Sequence, residues 1–428
     1  MRYSKIDKKL FVLNRKNFIN KMEAGSVAIF KSNDLMPRNG DAFHKWKQNS
    51  DLFYLTGVDQ EDTFLFLFPD CPYPEFREVL FIRKTNETIA VWEGHKLTPE
   101  DAQTTSGIAN ICWFDDFANH THAAILMADN IYLNLNENDR FMSKAGYSSK
   151  TFNAQILAQY PLHHFKRSAP ILGRLRSVKS AVEIDLISQA CQITEKAHRR
   201  VLSFVKPGVK EYEIEAEITH EFMINRSTGN AYEPIIASGS SACILHYIEN
   251  NNVCRSGEII LLDYGAEYAN YCADLSRSIP VNGKFTTRQK NVYNAVLRVQ
   301  KAAIKLLEPG VIWKQYQQEV GEIMTKELID LGLISLEDVK KQHKNTPAYK
   351  QYFMHGTSHH LGLDVHDFGL KWEPMQVGNV FTVEPGIYIP KENLGIRIEN
   401  NLVITASGTV DFMANIPVEV EEIENLMN

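Results

Sequence analysis

Two aspartates set eleven residues apart in strand-like sequence constrain this chain more than any other feature. The stretch LLDYGAEYANYCADLSRSIP, residues 261–280, places Asp263 and Asp274 between apolar flanks that nearly alternate. The pattern predicts two short strands with a break near Ala269-Asn270. With Tyr268-Ala269 as the two-residue loop, the aspartates stand directly opposite, with Cβ atoms ~5 Å apart. Like charges so placed destabilise a hairpin, so something outside the two strands must compensate them.

The last hundred residues supply more acids in the same kind of setting. In FTVEPG, strand alternation puts Thr382 and Glu384 on one face, and in GIRIENN it puts Arg397 and Glu399 together. HGTSHHLGLDVHD (355–367) adds His355, His359, His360 and His366, but Gly356 and Gly362 break a helical reading, and the Glu of a zincin motif is missing. Asp263, Asp274, Glu384 and Glu399 are thus four carboxylates in otherwise apolar strands. Burying one without a partner is costly, and four together are worse. The neighbouring strands offer chiefly Arg277 and Arg397 as basic partners. Divalent cations would supply the missing charge, and four carboxylates with one imidazole form a hard ligand set that favours Mn²⁺-like metals over thiolate-type zinc. Two ions roughly 3–4 Å apart can hold a bridging hydroxide and polarise a carbonyl.

Composition excludes several alternatives. A net charge of −6 and scattered lysines and arginines give no reason to expect nucleic acid. The greasiest run, TFLFLFP, is too short to span a bilayer, and the charged start lacks the apolar core of a signal peptide. Six cysteines without a CxxC read as free thiols in a reducing compartment, so the expected location is cytoplasmic.

Residues 1–172 mix strand-like runs (SVAIFK, TFLFLFP, EVLFIRK, TIAVWEG, NIYLNL) with helical patterns, which predicts an N-terminal α/β domain with its own sheet. A Pro-containing linker then leads to Ser180, a predicted N-cap with Glu183 three residues on, and to a long amphipathic helix stopped by Pro207-Gly208. Residues 173–428 read as a second domain of helices and mostly antiparallel hairpins, with helices expected near 286–307 and 313–331. The fold class is α/β (α+β).

These motifs together resemble the metallopeptidases of the pita-bread fold, whose enzyme branches include methionine aminopeptidase, prolidase and aminopeptidase P. The D…D…H…E…E pattern falls on Asp263, Asp274, His359, Glu384 and Glu399, and HGxSHxxGLDVHD and VEPGxY match as well. RNGDAFHKWKQNSDLFYLTGVDQEDTFLFLFPD resembles the N-terminal domain of aminopeptidase P and prolidase, while QNSDLFYLTG, CILHY and the serine of HGTSH look more like aminopeptidase P.

The resemblance implies a C-terminal pita-bread catalytic domain that hydrolyses the N-terminal Xaa-Pro bond of peptides with proline in second place. It implies two divalent ions, Mn²⁺ preferred and Co²⁺, Zn²⁺ or Fe²⁺ as alternatives. Asp263 would chelate the first, His359 and Glu384 the second, and Asp274 and Glu399 would bridge both. Glu384 would also help move a proton, His246, His355 and His366 would line the substrate pocket, and Arg397 would orient the acids. Asp41, in the N-terminal half, would reach the substrate amine of a neighbouring subunit in a homodimer or homotetramer, with a plain turn residue after Asn39-Gly40 as the equal alternative. Two departures stand out. His360 occupies a position often aromatic in aminopeptidase P, where a flat ring filling space is the preferred reading over a second pocket donor. RIENN lacks an acid that many relatives carry after the glutamate. Prolidase remains the nearest alternative. A non-catalytic peptide-binding relative and the metal-free creatinase-like amidinohydrolases fit less well, because all five ligand positions are intact.

Overall fold

The computed structural model describes residues 3–141, 146–343 and 346–428. Two compact units divide the chain, one of Lys5–Arg176 and one of Ser177–Asn428 joined by the first residues up to Ser4. No helix among the described residues is long and apolar enough to cross a membrane.

The Lys5–Arg176 unit is built on a six-stranded mixed sheet. Its spatial order is Asn110–Trp113, Glu78–Ile82, Phe64–Leu67, Ser26–Lys31, Asn130–Leu133, His164–Arg167. The central Phe64–Leu67 strand is buried at every position, as a strand covered on both faces must be. One strand expectation fails here: TIAVWEG is not a strand but lies in the helix Glu87–Glu93. β-branched residues suggested extension, but Asn86 caps the helix by accepting from the Ile89 amide at 2.9 Å, and Gly94 ends it in the left-handed region. The Pro-containing linker is also partly helical, over Ala169–Ser177.

In the second unit, the long helix runs Ala181–Phe204 and starts with the expected reciprocal Ser180/Glu183 cap. Its buried positions recur at helical spacing, from Leu186 and Ile187 through Ala190, Ile193, Ala197 and Val201. The helices Thr287–Lys305 and Trp313–Asp330 follow, within two residues of their expected bounds. Against these helices lie short antiparallel sheets: Ile235–Ser238 with Ile259–Tyr264 and Leu275–Pro280, and Val380–Val383 with Asn400–Thr405 and Gly408–Asp411.

The aspartate hairpin closes differently from expectation. Ala269 and Asn270, both with positive φ, form the two-residue turn, and Tyr268 pairs with Tyr271. The register therefore slides by two, so that Asp263 faces Ser276 instead of Asp274. A shift of two keeps side chains on their original face, so the aspartates remain on one side as diagonal neighbours.

Candidate metal centre

Backbone pairing brings four separate segments to one pocket. Asp263 stands near the end of Ile259–Tyr264, and Asp274 immediately precedes Leu275–Pro280. The histidine-rich segment lies along Val380–Val383: the Glu384 amide donates to Thr357 O at 2.8 Å, Thr382 to His359 O at 3.0 Å and Leu361 to Val380 O at 3.1 Å. That ladder sets His359 beside Glu384. Glu399 is held by its amide donating to Ser276 O at 3.0 Å, which draws it across to the aspartate hairpin.

Atoms of Asp274, His359 and Glu399 with metal-ligating chemistry all lie within 4.8 Å of one another. His359 Nε2 is 3.4 Å from Asp274 Oδ2 and 3.6 Å from Glu384 Oε1. Its Nδ1 lies 3.0 Å from the His360 carbonyl, a contact that a proton on Nδ1 satisfies and that leaves Nε2 turned to the acids. Asp263 and Asp274 both lie within hydrogen-bond distance of the Tyr232 hydroxyl, whose single proton serves one of them at a time, and Arg397 Nη2 donates to Asp263. Arg397 Nε donates to Ser276 Oγ, which in turn donates to Glu399 Oε2, each at 2.8 Å.

The charges do not balance. Arg277, the other arginine these strands offer, spends its guanidinium on the carbonyls of Ser276, Glu399 and Pro417 and on Asn400 Oδ1. Burial, joined by its acidic neighbours, pushes Glu399 well above the ordinary carboxylate range, and Glu399 Oε1 has no hydrogen-bond partner among the described residues. Burial also raises Asp263 against the pull of Arg397, and Glu384 rises to about 7. Burial disfavours a proton on His359, yet Asp274 and Glu384 outweigh it and raise its pKa. A pocket that leaves a buried carboxylate oxygen bare and holds Asp263, Glu384 and Glu399 above their normal range suits cationic ligands. Four carboxylates and an imidazole are a hard, oxygen-rich donor set.

The other expected residues fall as follows. His355 is half-buried, with Nδ1 3.7 Å from Glu384 Oε2. Burial and Arg397 drive its pKa down to about 3, so it is neutral. His366 is exposed, its ring edge-on to His359 at 4.5 Å. His246 is exposed on the loop after Ser238, close enough to His355 to disfavour its protonation. Asp41 lies in the other unit, exposed at the turn between Pro37–Asn39 and Ala42–Phe43, and is not part of this cluster. His360 is a buried ring nearly parallel to Trp313, 6.3 Å away at 12°, and against Phe381 at 4.4 Å, which agrees with the space-filling reading. The asparagines of RIENN have work of their own: Asn401 bonds both the amide and the carbonyl of Asp274, while Asn400 joins Arg277 to Asp411.

Sequence reasoning missed two tyrosines. Tyr388 accepts from Arg397 Nη1 at 2.9 Å and lies 2.8 Å from His355 Nε2, linking acids to pocket. It stands in the VEPGxY motif, which could have flagged it. Tyr232 lies in NAYEPII, where no spacing sets it apart.

Residues 185–406 match the profile of metallopeptidase family M24, and residues 11–132 that of the aminopeptidase P N-terminal domain. The chain is 34% identical to a Xaa-Pro aminopeptidase of Haemophilus influenzae, over 99% of this chain and 98% of that relative. A Pseudomonas aeruginosa aminopeptidase superposes with a TM-score of 0.90 at 31% identity, covering 99% of this chain and 98% of the other. A zinc-substituted Escherichia coli aminopeptidase P bound to product gives 0.88 at 32% identity, covering 99% of each chain.

Proposed function

This chain belongs to metallopeptidase family M24, and from that premise we propose that it is a metal-dependent aminopeptidase cleaving the bond between an N-terminal residue and a following proline. One observation carries the reading: four carboxylates and an imidazole converge on a buried pocket where, among the described residues, only Arg397 donates from a guanidinium to one of them. Asp263 would hold one divalent ion, His359 and Glu384 a second, and Asp274 and Glu399 both. Ligand hardness favours Mn²⁺, with Co²⁺, Zn²⁺ and Fe²⁺ as alternatives. Two ions bound there supply a polarised scissile carbonyl and a water acidic enough to ionise near neutral pH.

The chain's own groups do the remaining work. Glu384, beside His359 and His355, stands where it would take a proton from that water and pass it on. His355, neutral and fixed between Tyr388 and the Gly356 carbonyl, presents a defined tautomer beside Glu384. Its neutrality adds no charge to the pocket, and with both ring nitrogens engaged it would border the substrate as a fixed ring. His366 and the loop histidine His246 complete the substrate wall, and Arg397 fixes Asp263 from behind. In the same reading the N-terminal module, bounded near residue 172, serves homodimer or homotetramer formation, with Asp41 reaching a neighbour's substrate. The six free cysteines support a cytoplasmic location.

The test is hydrolysis of Ala-Pro-Ala, Ala-Pro and Ala-Ala-Ala by EDTA-stripped protein with and without Mn²⁺. Metal-restored cleavage of the proline tripeptide is expected. Cleavage of the dipeptide alone would make the enzyme a prolidase, and no cleavage would sink catalysis on Xaa-Pro bonds.

A further inference from the structure

Away from the acid cluster, the same unit buries a carboxylate of a different kind. Glu211, the first residue of the helix Glu211–Ile224, is 0% exposed. Its Oε1 accepts from the Ser238 amide and the Ser238 hydroxyl, both at 2.7 Å. Its Oε2 accepts from the Tyr247 hydroxyl and the Asn252 amide, both at 2.8 Å. The Glu211 amide also donates to Asn252 O at 3.0 Å. Ser238 and Asn252 are the two stems of the loop that carries His246, and Tyr247 is its immediate neighbour. One carboxylate therefore clamps both ends and the middle of the fifteen-residue excursion 238–252.

The clamp reaches the pocket through Tyr247. Its ring packs with Ala242, Leu261 and Tyr388 in one buried cluster, and Tyr388 is the residue that joins His355 to Arg397. Asn252 Nδ2 adds bonds to Tyr247 Oη at 2.9 Å and Ser241 Oγ at 3.1 Å. His246 itself is exposed, so its own side chain gives the loop little anchorage. Bonds to a charged, buried acceptor are the strong ones, and a carboxylate serves better than a neutral amide because all four donors point at acceptor lone pairs.

We propose that Glu211 is the positioning residue for His246, holding the 238–252 loop so that this histidine stands at the substrate side of the metal pocket. The proposal rests on the substrate role assigned to His246 above. In Glu211→Gln the new amide NH₂ must face at least one of the four donors, so part of the clamp turns repulsive while size is kept. Small displacements of a positioned group cost between about tenfold and a hundredfold in rate.

The experiment is a double-mutant cycle on Ala-Pro-Ala hydrolysis, with Glu211→Gln and His246→Ala alone and combined in the full-length, Mn²⁺-loaded protein. Hydrogen exchange of the 238–252 peptides is measured in parallel. Glu211→Gln is expected to lower kcat/KM at least about tenfold in the parent, and less than about threefold in the His246→Ala background, because a group acting through His246 has nothing left to position. Exchange should quicken in 238–252 and stay unchanged around His359 and Glu399. Additive losses, parent-like kcat/KM in Glu211→Gln, a silent His246→Ala, or unaltered loop exchange would each overturn the proposal. If Glu211→Gln does not fold, Tyr247→Phe removes one bond of the clamp and must show the same non-additivity on a smaller scale. If the parent cleaves no Xaa-Pro peptide, the proposed function has failed, and the exchange data alone still decide whether Glu211 fixes the loop.

Discussion

Two buried carboxylate sites within one unit solve the same problem in opposite ways. At Glu211, two amides and two hydroxyls meet the oxygens, and burial costs nothing that the fold has not already repaid. At the acid cluster, Asp263, Asp274, Glu384 and Glu399 crowd together, Glu399 Oε1 lacks a donor among the described residues, and three of the four acids are pushed upward by burial. The first site is complete in the polypeptide. The second is complete only with cations, which is why a structural role explains Glu211 and fails for Glu399.

The largest expected effect separates the sites by activity. Glu399→Gln or Asp263→Asn should cut Mn²⁺-dependent cleavage of Ala-Pro-Ala on the order of a thousandfold or more while circular dichroism stays unchanged. Full activity in either, under chelator-controlled metal, would break the dinuclear assignment. Stability should split in the reverse sense. In EDTA-stripped protein at pH 7.5, Glu399→Gln is expected to raise Tm by several degrees, since it removes an uncompensated buried charge, while Glu211→Gln lowers it by a similar amount. A fall in both would erase the contrast.

The pH dependence follows from the raised acids. Asp263, Glu384 and Glu399 bind protons more tightly in the folded chain than in the unfolded one, where a glutamate titrates near 4.5. These acids therefore contribute metal-free stability that falls as pH rises from about 4.5 through about 7, where Glu384 ionises, while His355, held down to about 3, contributes in the opposite sense below about pH 6.5. Thermal melts of the parent and Glu384→Gln at pH 5.5 and 7.5 isolate the acid part: Tm should fall more with pH in the parent than in the variant, and the Tm gain on adding Mn²⁺ to the parent should be the larger at pH 7.5. Tyr232→Phe removes the hydroxyl shared by the two aspartates and should cost metal-free protein about 1–3 kcal/mol in urea unfolding, and less once Mn²⁺ is bound. The smallest effect belongs to His360→Phe, which should keep kcat/KM within about threefold because the stacked ring is retained.

Much of the site was legible because carboxylates in apolar strands are costly wherever they occur, so each of the four acids announced itself without knowledge of the fold. The diagonal placement of Asp263 and Asp274 was not, because the turn at Ala269-Asn270 depends on two residues taking positive φ, and alanine seldom does. The helix at Glu87–Glu93 was hidden by β-branched residues whose preference a cap and a terminal glycine override. Tyr232 could not be read at all: its hydroxyl matters through a contact 31 residues away in sequence. Where Arg277 would place its guanidinium was not legible for a related reason, since alternation fixes a side chain's face but not which acceptor it finds there.

Metal binding to the stripped protein tests the central claim most directly. Equilibrium dialysis against Mn²⁺, with metal quantified by atomic emission, should give two ions per chain in the parent and fewer than two in Glu399→Gln, with Glu211→Gln unchanged at two. No bound metal in the parent, or two ions retained in Glu399→Gln, would contradict the account that the acid cluster is buried for the sake of cations.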